Sequence, residues 1–395
     1  MSQENQENRN SNRGESVATM LIDRFIKLAV EQGASDIHIQ PEAENVLIRL
    51  RIDGILREIE KVPKDILNKI VSRVKVLANL NISEIHHPQD GRFQLNELEK
   101  IDFRVSVFPT IHGESVVIRL LDQSKLISFI DLGLEGKLVE NFKEIISQPY
   151  GLILATGPTG SGKTTTLFSI LNKLNSPEKC IVTLEDPVEF HLPSVRQTQI
   201  DVKRDFDFAQ GLRSLFRQNP NIIMVGEIRD KLTAEIAIQA AITGHLVLST
   251  LHTNDSVGAL IRLREMGLEK FLITSATTGV ISQRLVRKIC SKCRQEYEPP
   301  KEILRSLGLE KYKDIKYYRG KGCLACQNTG YQGLTGIFEV LIPTPEINEL
   351  VYKDAGWEKL FELAQNQGMQ NLKVSGLIKV KEGITTLDEI IRVTH

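Results

Sequence analysis

The chain of 395 residues has no charge bias: 50 Lys and Arg against 50 Asp and Glu leave a formal net charge of zero. That excludes a protein held on nucleic acid by bulk positive charge, though not a local basic groove. Long apolar runs are also lacking. The longest stretch without Asp, Glu, Lys or Arg, 236–254, still contains Gln239, His245, Thr250 and His252. A buried core suits it better than a membrane span. The first residues, MSQENQENRNSNRGES, contain no apolar signal core and predict a disordered polar tail over 1–16. The expected location is the cytoplasm. Cysteine is scarce, with five in all. Four of them form two C-x-x-C pairs, Cys290/Cys293 and Cys323/Cys326, which argues for a metal rather than a disulfide framework.

Hydrophobic residues make up 41% of the chain and charged residues 25%, the balance of a folded globular protein. At roughly 150 residues per domain the length suggests two or three domains. Val17, Leu21, Phe25 and Leu28 recur at helical spacing, and the helix is expected to end near Gly33. Alternation follows. Val46, Ile48, Leu50 and Ile52 face one side and Arg49, Arg51 and Asp53 the other, with Asp53-Gly54 as a hairpin turn. Ile101, Phe103, Val105 and Val107 alternate again. Residues 17–121 therefore read as an α+β domain with a half-buried antiparallel sheet, and 122–136 as a linker. Beyond it, apolar runs at 152–155, 181–184, 222–225 and 246–248 alternate with helical patterns. That pattern predicts an α/β unit whose parallel sheet is buried on both faces. It is expected over 137–286, followed by a four-cysteine module at 287–335 and a helical part at 336–395.

Gly157-Pro158-Thr159-Gly160-Ser161-Gly162-Lys163-Thr164, followed by Thr165, fits G-x-x-x-x-G-K-[ST]. An apolar strand precedes it and a helix with Leu167, Ile170, Leu171 and Leu174 on one face follows, the context expected of a phosphate loop. Its backbone amides would cradle phosphates, Lys163 would reach the β- and γ-phosphates of ATP, and the Thr164 hydroxyl would bind Mg²⁺. Two further apolar strands run into carboxylates, one into Glu185-Asp186-Pro187-Val188-Glu189 and one into Gly226-Glu227. Such groups can hold Mg²⁺ or orient the attacking water. His245 and His252 flank another apolar strand. Sequence alone leaves a structural and a functional reading of them evenly balanced. The cysteine pairs are separated by 29 residues (323 − 293 − 1), a gap long enough for an extra hairpin or helix. Four thiolates suit a tetrahedral Zn²⁺. Cys180 stands alone beside a strand and reads as core.

TGPTGSGKTTT, TLEDPVEF, IIMVGEIRD and TGHLVLSTLHTND, in that order, resemble the secretion ATPase superfamily of type II secretion and type IV pilus assembly. SDIHIQP at 35–41, RIDG at 51–54 and PQDGR at 88–92 resemble its PAS-like N-terminal domain, and QRLVRKIC at 283–290 leads into its four-cysteine module. The resemblance implies a homo-hexameric, Mg²⁺-dependent ATPase with a RecA-like motor domain. It would be peripheral on the cytoplasmic face of the inner membrane and act on a platform protein there. Glu185 would be the catalytic acid or base, Glu227 the atypical Walker B residue, and His245 and His252 the His box, which raises the functional reading of His252. Arg104 and Arg119 match arginine fingers; the alternative for them is a solvated strand arginine. This chain has only about 16 polar residues before its first helix, where many members carry a long docking domain. The alternatives are a pilus retraction motor, which usually lacks the four cysteines, a zinc-containing nucleic-acid-processing NTPase, and a non-catalytic nucleotide-binding scaffold. Balanced charge gives no support to a nucleic-acid partner.

Overall fold

The computed structural model describes residues 3–123, 127–309 and 315–394, apart from the side chains of 3–16 and of residue 306. The chain divides into two compact units, 1–125 and 126–395.

The first unit opens with helix α1 (Gln3–Glu31). Helix therefore covers residues 3–16, where a disordered tail was expected. Helix propagation is cheap once a nucleus is packed, and this segment contains no proline to stop it. The packed face includes most of the expected one: Phe25 is buried, and Leu21 and Leu28 pack against the same core. Ala18, Ile22, Phe25, Ile26 and Ala29 are buried, whereas Val17 is 45% exposed. The helix ends as expected. Gly33, at φ 63°, donates to Val30, and Ala34 donates to Ala29, the paired bonds of a glycine-terminated helix.

Strands β1 (Asp36–Pro41), β2 (Asn45–Ile52) and β3 (Ile55–Pro63) precede helix α2 (Leu67–Leu77). Strands β4 (Gln89–Gln94), β5 (Ile101–Thr110) and β6 (Gly113–Asp122) follow. They form one antiparallel sheet in the order β3-β2-β1-β6-β5-β4. The alternation holds: Val46, Ile48, Leu50, Phe103, Val105 and Val107 are buried in one core with α1 and α2. Asp53 and Gly54 both have positive φ, the paired requirement of a tight hairpin turn between β2 and β3.

In the second unit, Phe129–Leu132 forms a single turn before α3 (Lys137–Ile146). Strand β7 (Gly151–Thr156) leads into α4 (Lys163–Leu174). Strands β8 (Ile181–Glu185) and β9 (Arg196–Gln199) precede α5 (Phe208–Leu215). β10 (Ile222–Val225), α6 (Lys231–Ile242), β11 (Leu246–Leu251), α7 (Ser256–Glu265) and α8 (Lys270–Ala276) then alternate. β12 (Thr277–Ile289), β13 (Arg294–Tyr297), α9 (Lys301–Leu307), β14 (Tyr317–Gly320) and β15 (Tyr331–Leu341) come next. Helices α10 (Pro345–Tyr352), α11 (Trp357–Asn366), α12 (Leu372–Lys381) and α13 (Leu387–Thr394) close the chain.

The main sheet has the order β15-β12-β7-β11-β10-β8-β9. Every neighbouring pair is parallel except β12 with β15. The residues of β7, β8, β10 and β11 are all buried, with one apolar core on each face, as their unbroken apolar runs predict. The expected limits of the cysteine module, 287 and 335, fall inside β12 and β15. Both strands belong to the main sheet, so the cysteines sit on an excursion between paired strands.

Candidate functional site

Parallel register places the C-terminal ends of β7, β11, β10 and β8 along one edge of the sheet. Loops leaving that edge form the usual ligand crevice of an open α/β sheet. Residues 157–162 leave β7 there and enter α4 at Lys163. Gly157, Gly160 and Gly162 have φ of 144°, 77° and 88°, a path that other residues rarely follow. A Cβ at Gly157 would stand 2.6 Å from Ser161 Oγ and 2.7 Å from the Gln283 carbonyl oxygen, so only glycine fits. Pro158, Thr159 and Gly160 are exposed, while Thr164 and Thr165 are half-buried. No side chain caps the N-terminus of α4, which leaves its first amides for an anion. Thr156 Oγ1 and Ser161 Oγ are buried without a hydrogen-bond partner beside those amides. A phosphate group fits this cradle on donor chemistry and on space.

Lys163 is buried and donates through Nζ to the Gly157 carbonyl at 2.7 Å and the Pro158 carbonyl at 3.1 Å. Burial lowers its pKa to about 8, against an upward pull from Glu227 and with a further push from Arg284. The ammonium thus lies within electrostatic reach of Glu227.

Glu227 follows β10 by two residues, with a largely buried side chain. It pairs with Arg229, and its Oε2 lies 3.8 Å from His252 Nε2. Burial lowers the His252 pKa, and Lys163 and Arg229 lower it further against the opposing pull of Glu227. Lys163, Glu227, Arg229 and His252 therefore form one charge cluster beside the glycine loop. Glu185, at the end of β8, is buried, and its Oε1 accepts from Thr183 Oγ1 at 2.5 Å and Gln197 Nε2 at 3.0 Å. Burial raises its pKa against those hydrogen bonds.

The two histidines, balanced in sequence, are separated by the strand between them. His252 follows β11 at the loop edge. His245 precedes β11 at the opposite edge, where its Nδ1 lies 3.0 Å from the Ala240 carbonyl and its ring meets Phe216 at 5.8 Å. Six residues of β-strand put roughly 20 Å between the two edges, so the structural reading applies to His245, away from the glycine loop.

Arg104 and Arg119 belong to the first unit and lie opposite each other on β5 and β6. Arg119 Nε donates to Asp36 Oδ1 at 2.9 Å, and Arg51 Nε lies 3.2 Å from Asp36 Oδ2. Asp36 is only 4% exposed, so it anchors a cationic row across neighbouring strands.

The four cysteines converge as their spacing predicts, with all Sγ atoms within 4.8 Å of one another. The separations are 3.9 Å for Cys290–Cys323, 3.8 Å for Cys293–Cys326 and 3.7 Å for Cys323–Cys326. A tetrahedron with Zn–S bonds of ~2.3 Å has edges of about 3.8 Å. The amides of Gly322, Cys323 and Gly330 each point at a sulfur from 3.3 Å, which favours thiolate over thiol. The donor set fits zinc. Both β13–β14 and α9 occupy the 29-residue gap. Cys180 is half-buried and packs beside the main core.

Several contributors carried no expected role. Gln197 holds Glu185, Arg229 pairs with Glu227, and Gln283 donates through Nε2 to the Ser161 carbonyl at 2.7 Å. Arg229 and Gln283 stand inside the IIMVGEIRD and QRLVRKIC motifs, which were the available signals.

A parallel sheet, a glycine loop feeding an uncapped helix and acidic strand ends on the same edge define a phosphate-loop α/β protein. Within that class the comparisons are specific. A profile described as "Type II/IV secretion system protein" matches residues 11–392, and the chain belongs to that family. It is 47% identical to the type IV pilus assembly ATPase PilB of Thermus thermophilus over 95% of this chain and 43% of that protein. It is 46% identical to the type II secretion system ATPase E of Vibrio cholerae, over 95% of this chain and 75% of that one. It thus spans less than half of the first relative and three quarters of the second. Among solved structures, the pilus retraction motor PilT with bound ADP aligns with a TM-score of 0.62 and 28% identity over 93% of this chain and 95% of that one. The Legionella pneumophila ATPase DotB aligns with a TM-score of 0.67 at 22% identity over 95% of each chain, a likeness of fold. Among the described residues, no helix is long and apolar enough to cross a membrane.

Proposed function

We propose that this chain hydrolyses ATP as the motor subunit of a type II secretion or type IV pilus assembly system. One observation carries the reading: a glycine loop, Lys163, Glu227 and His252 meet at one edge of a parallel sheet. In this reading Lys163 exchanges the Gly157 and Pro158 carbonyls for β- and γ-phosphate oxygens. Residues 157–165 cradle the phosphates through their amides. Thr164 and Glu227 would hold Mg²⁺, which when bound neutralises phosphate charge. Glu185 orients or deprotonates the attacking water, and its raised pKa suits a base working near neutral pH. His252, neutral because its pKa is lowered, senses the γ-phosphate beside Glu227. The second unit is RecA-like. The first is PAS-like and supplies Arg104 and Arg119 to phosphates, with an expected rate effect of about 10³–10⁵ by analogy with other arginine fingers.

The chain would work as a homo-hexamer at the cytoplasmic face of the inner membrane, moving a platform protein. Cys290, Cys293, Cys323 and Cys326 would hold a structural Zn²⁺. The PilT alignment favours retraction as a second reading. Higher identity to assembly and secretion relatives, together with the cysteine cluster, supports assembly or secretion over it.

Phosphate release by the purified chain tests the reading. Wild type should turn over Mg-ATP and Lys163→Ala should not; equal activity of the two would sink the site assignment. Stimulation by the cytoplasmic part of a platform protein is expected. Stimulation by DNA instead would favour the nucleic-acid alternative.

A further inference from the structure

Strand β12 carries two side chains that reach different loops of the site. Gln283, 1% exposed, holds the Ser161 carbonyl at the middle of the glycine loop. Arg284, the next residue, donates from Nη1 to the Gln283 carbonyl at 2.9 Å and from Nη2 to the Asn254 carbonyl at 2.8 Å. A Cβ built at Gly157 would stand 3.2 Å from Arg284 Nη1, so the guanidinium lies against the first residue of the glycine loop. Asn254 is two residues beyond His252. Asp255 follows and caps α7 by accepting the Gly258 amide at 2.7 Å. One planar group thus bonds the loop that follows His252 to β12 while lying against the start of the phosphate loop.

This is an expensive way to join two loops. Burial disfavours the charged guanidinium, while Glu339 and Asp255 attract it only through space. The Glu339 carboxylate is itself engaged by the amide and hydroxyl of Ser256, at 2.8 and 2.6 Å. Packing alone would be served by a neutral side chain. What arginine adds is a rigid fork that serves two carbonyls at once, which lysine lacks.

We infer that Arg284 is a positioning residue of the nucleotide site, fixing the 252–254 loop against the phosphate loop so that His252 keeps its place beside Glu227. It acts through those loops and does not touch substrate. The inference rests on the nucleotide-binding reading above.

The chain carries its own reporter. Its single tryptophan, Trp357, donates Nε1 to Asp255 Oδ2 at 2.9 Å and stacks on Phe361. Any shift of the 252–255 loop when nucleotide binds would change the surroundings of that indole.

The test uses full-length wild type, Arg284→Ala and Arg284→Lys, with Lys163→Ala as the binding-defective control. Nucleotide Kd is measured by calorimetry with Mg-ADP, kcat by phosphate release, and loop response by Trp357 emission. Arg284→Ala should bind Mg-ADP within about threefold of wild type but lose about ten- to a hundredfold in kcat, the scale of a small misplacement. Its nucleotide-dependent emission change should vanish. Arg284→Lys should recover part of both. The inference is overturned if Arg284→Ala keeps kcat within about twofold, or loses binding as completely as Lys163→Ala. If Arg284→Ala fails to fold, Arg284→Lys decides: intermediate kcat with unchanged Kd supports the role, and wild-type behaviour overturns it. A wild type that binds Mg-ADP without hydrolysing ATP ends the motor reading, while the Trp357 response still tests this one. A wild type that binds no nucleotide overturns both.

Discussion

Nucleotide affinity should fall as pH rises through about 8, the value to which burial brings Lys163 against the pull of Glu227. The side chain is 8% exposed and donates to the Gly157 and Pro158 carbonyls of the glycine loop. Only its protonated form attracts phosphate. If the neutral form binds negligibly, the apparent Kd rises by a factor of 1 + 10^(pH − pKa), about 1.1 at pH 7 and about 11 at pH 9. The loss is about tenfold, or about 1.4 kcal/mol. The sign follows from linkage. Bound phosphates raise the Lys163 pKa, so above pH 8 the complex holds a proton that the free protein lacks, and binding takes one up. The phosphate group's own last ionisation, near ~6, lies below this window. Calorimetry in two buffers of different ionisation enthalpy, from pH 7 to 9.5, measures affinity and proton uptake together. Lys163→Arg stays charged throughout and should give a flat profile. A wild-type Kd constant within about twofold from pH 7 to 9 would refute the placement of a buried, perturbed lysine at the phosphates.

Glu227→Gln should bind Mg-ATP yet hydrolyse it about 10²-fold or more slowly, measured by single-turnover phosphate release; normal turnover denies Glu227 a catalytic or metal role. Gly157→Ala forces a Cβ to within 2.6 Å of Ser161 Oγ at φ 144°, so calorimetry should show loss of nucleotide binding; retained affinity would mean the loop relaxes freely. Metal analysis should return one zinc per chain, and Cys323→Ser should lower the melting temperature and open the segment between β12 and β15 to proteolysis; four freely reactive thiols with no metal would refute the assignment. Glu389 is buried and binds Arg287 and Arg392, and although burial raises its pKa, those bonds bring it down to about 2. Because the folded pKa is depressed, its stabilisation is full above the unfolded value of ~4.5 and is lost as pH falls towards about 2. Glu389→Gln should cost about 3 kcal/mol in urea unfolding at pH 7 and flatten that acid dependence.

What the sequence revealed of the fold was its local periodicity. The apolar runs at 152–155, 181–184, 222–225 and 246–248 needed no partner to be read, because strands buried on both faces have no polar side. Asp53-Gly54 was legible for the same local reason, since two successive positive φ values suit few residue pairs. The face of α1 was legible from Leu21, Phe25 and Leu28, all of which pack on the core, and only Val17, at its edge, turns outward. Helix over residues 3–16 was missed because composition reports what each residue prefers alone, not what an adjacent packed helix can propagate.

The site divides along the same line. The glycine loop is continuous in the chain, so its chemistry can be read directly. His245 and His252 are equivalent in sequence, each flanking the same strand, and only the parallel register of β11 with β7 assigns one to each edge of the sheet. Arg284 and Gln283 are harder still. Their partners lie 30 and 122 residues away, and both sit on a strand whose motif seemed to point forward to Cys290. That strand does point both ways. β12 pairs with β7 at the phosphate loop and with β15 along its length, and the two strands β12 and β15 bracket the cysteine cluster. Between them Gly320 and Gly330 meet backbone to backbone, where a Cβ on Gly320 would come within 2.0 Å of the Gly330 carbonyl oxygen. The excursion has a two-stranded sheet and a small core of its own, shared with α12 and α13. A segment that buries so little would gain from four thiolates drawn onto one ion, and its anchorage to β12 and β15 would give such a staple a rigid base.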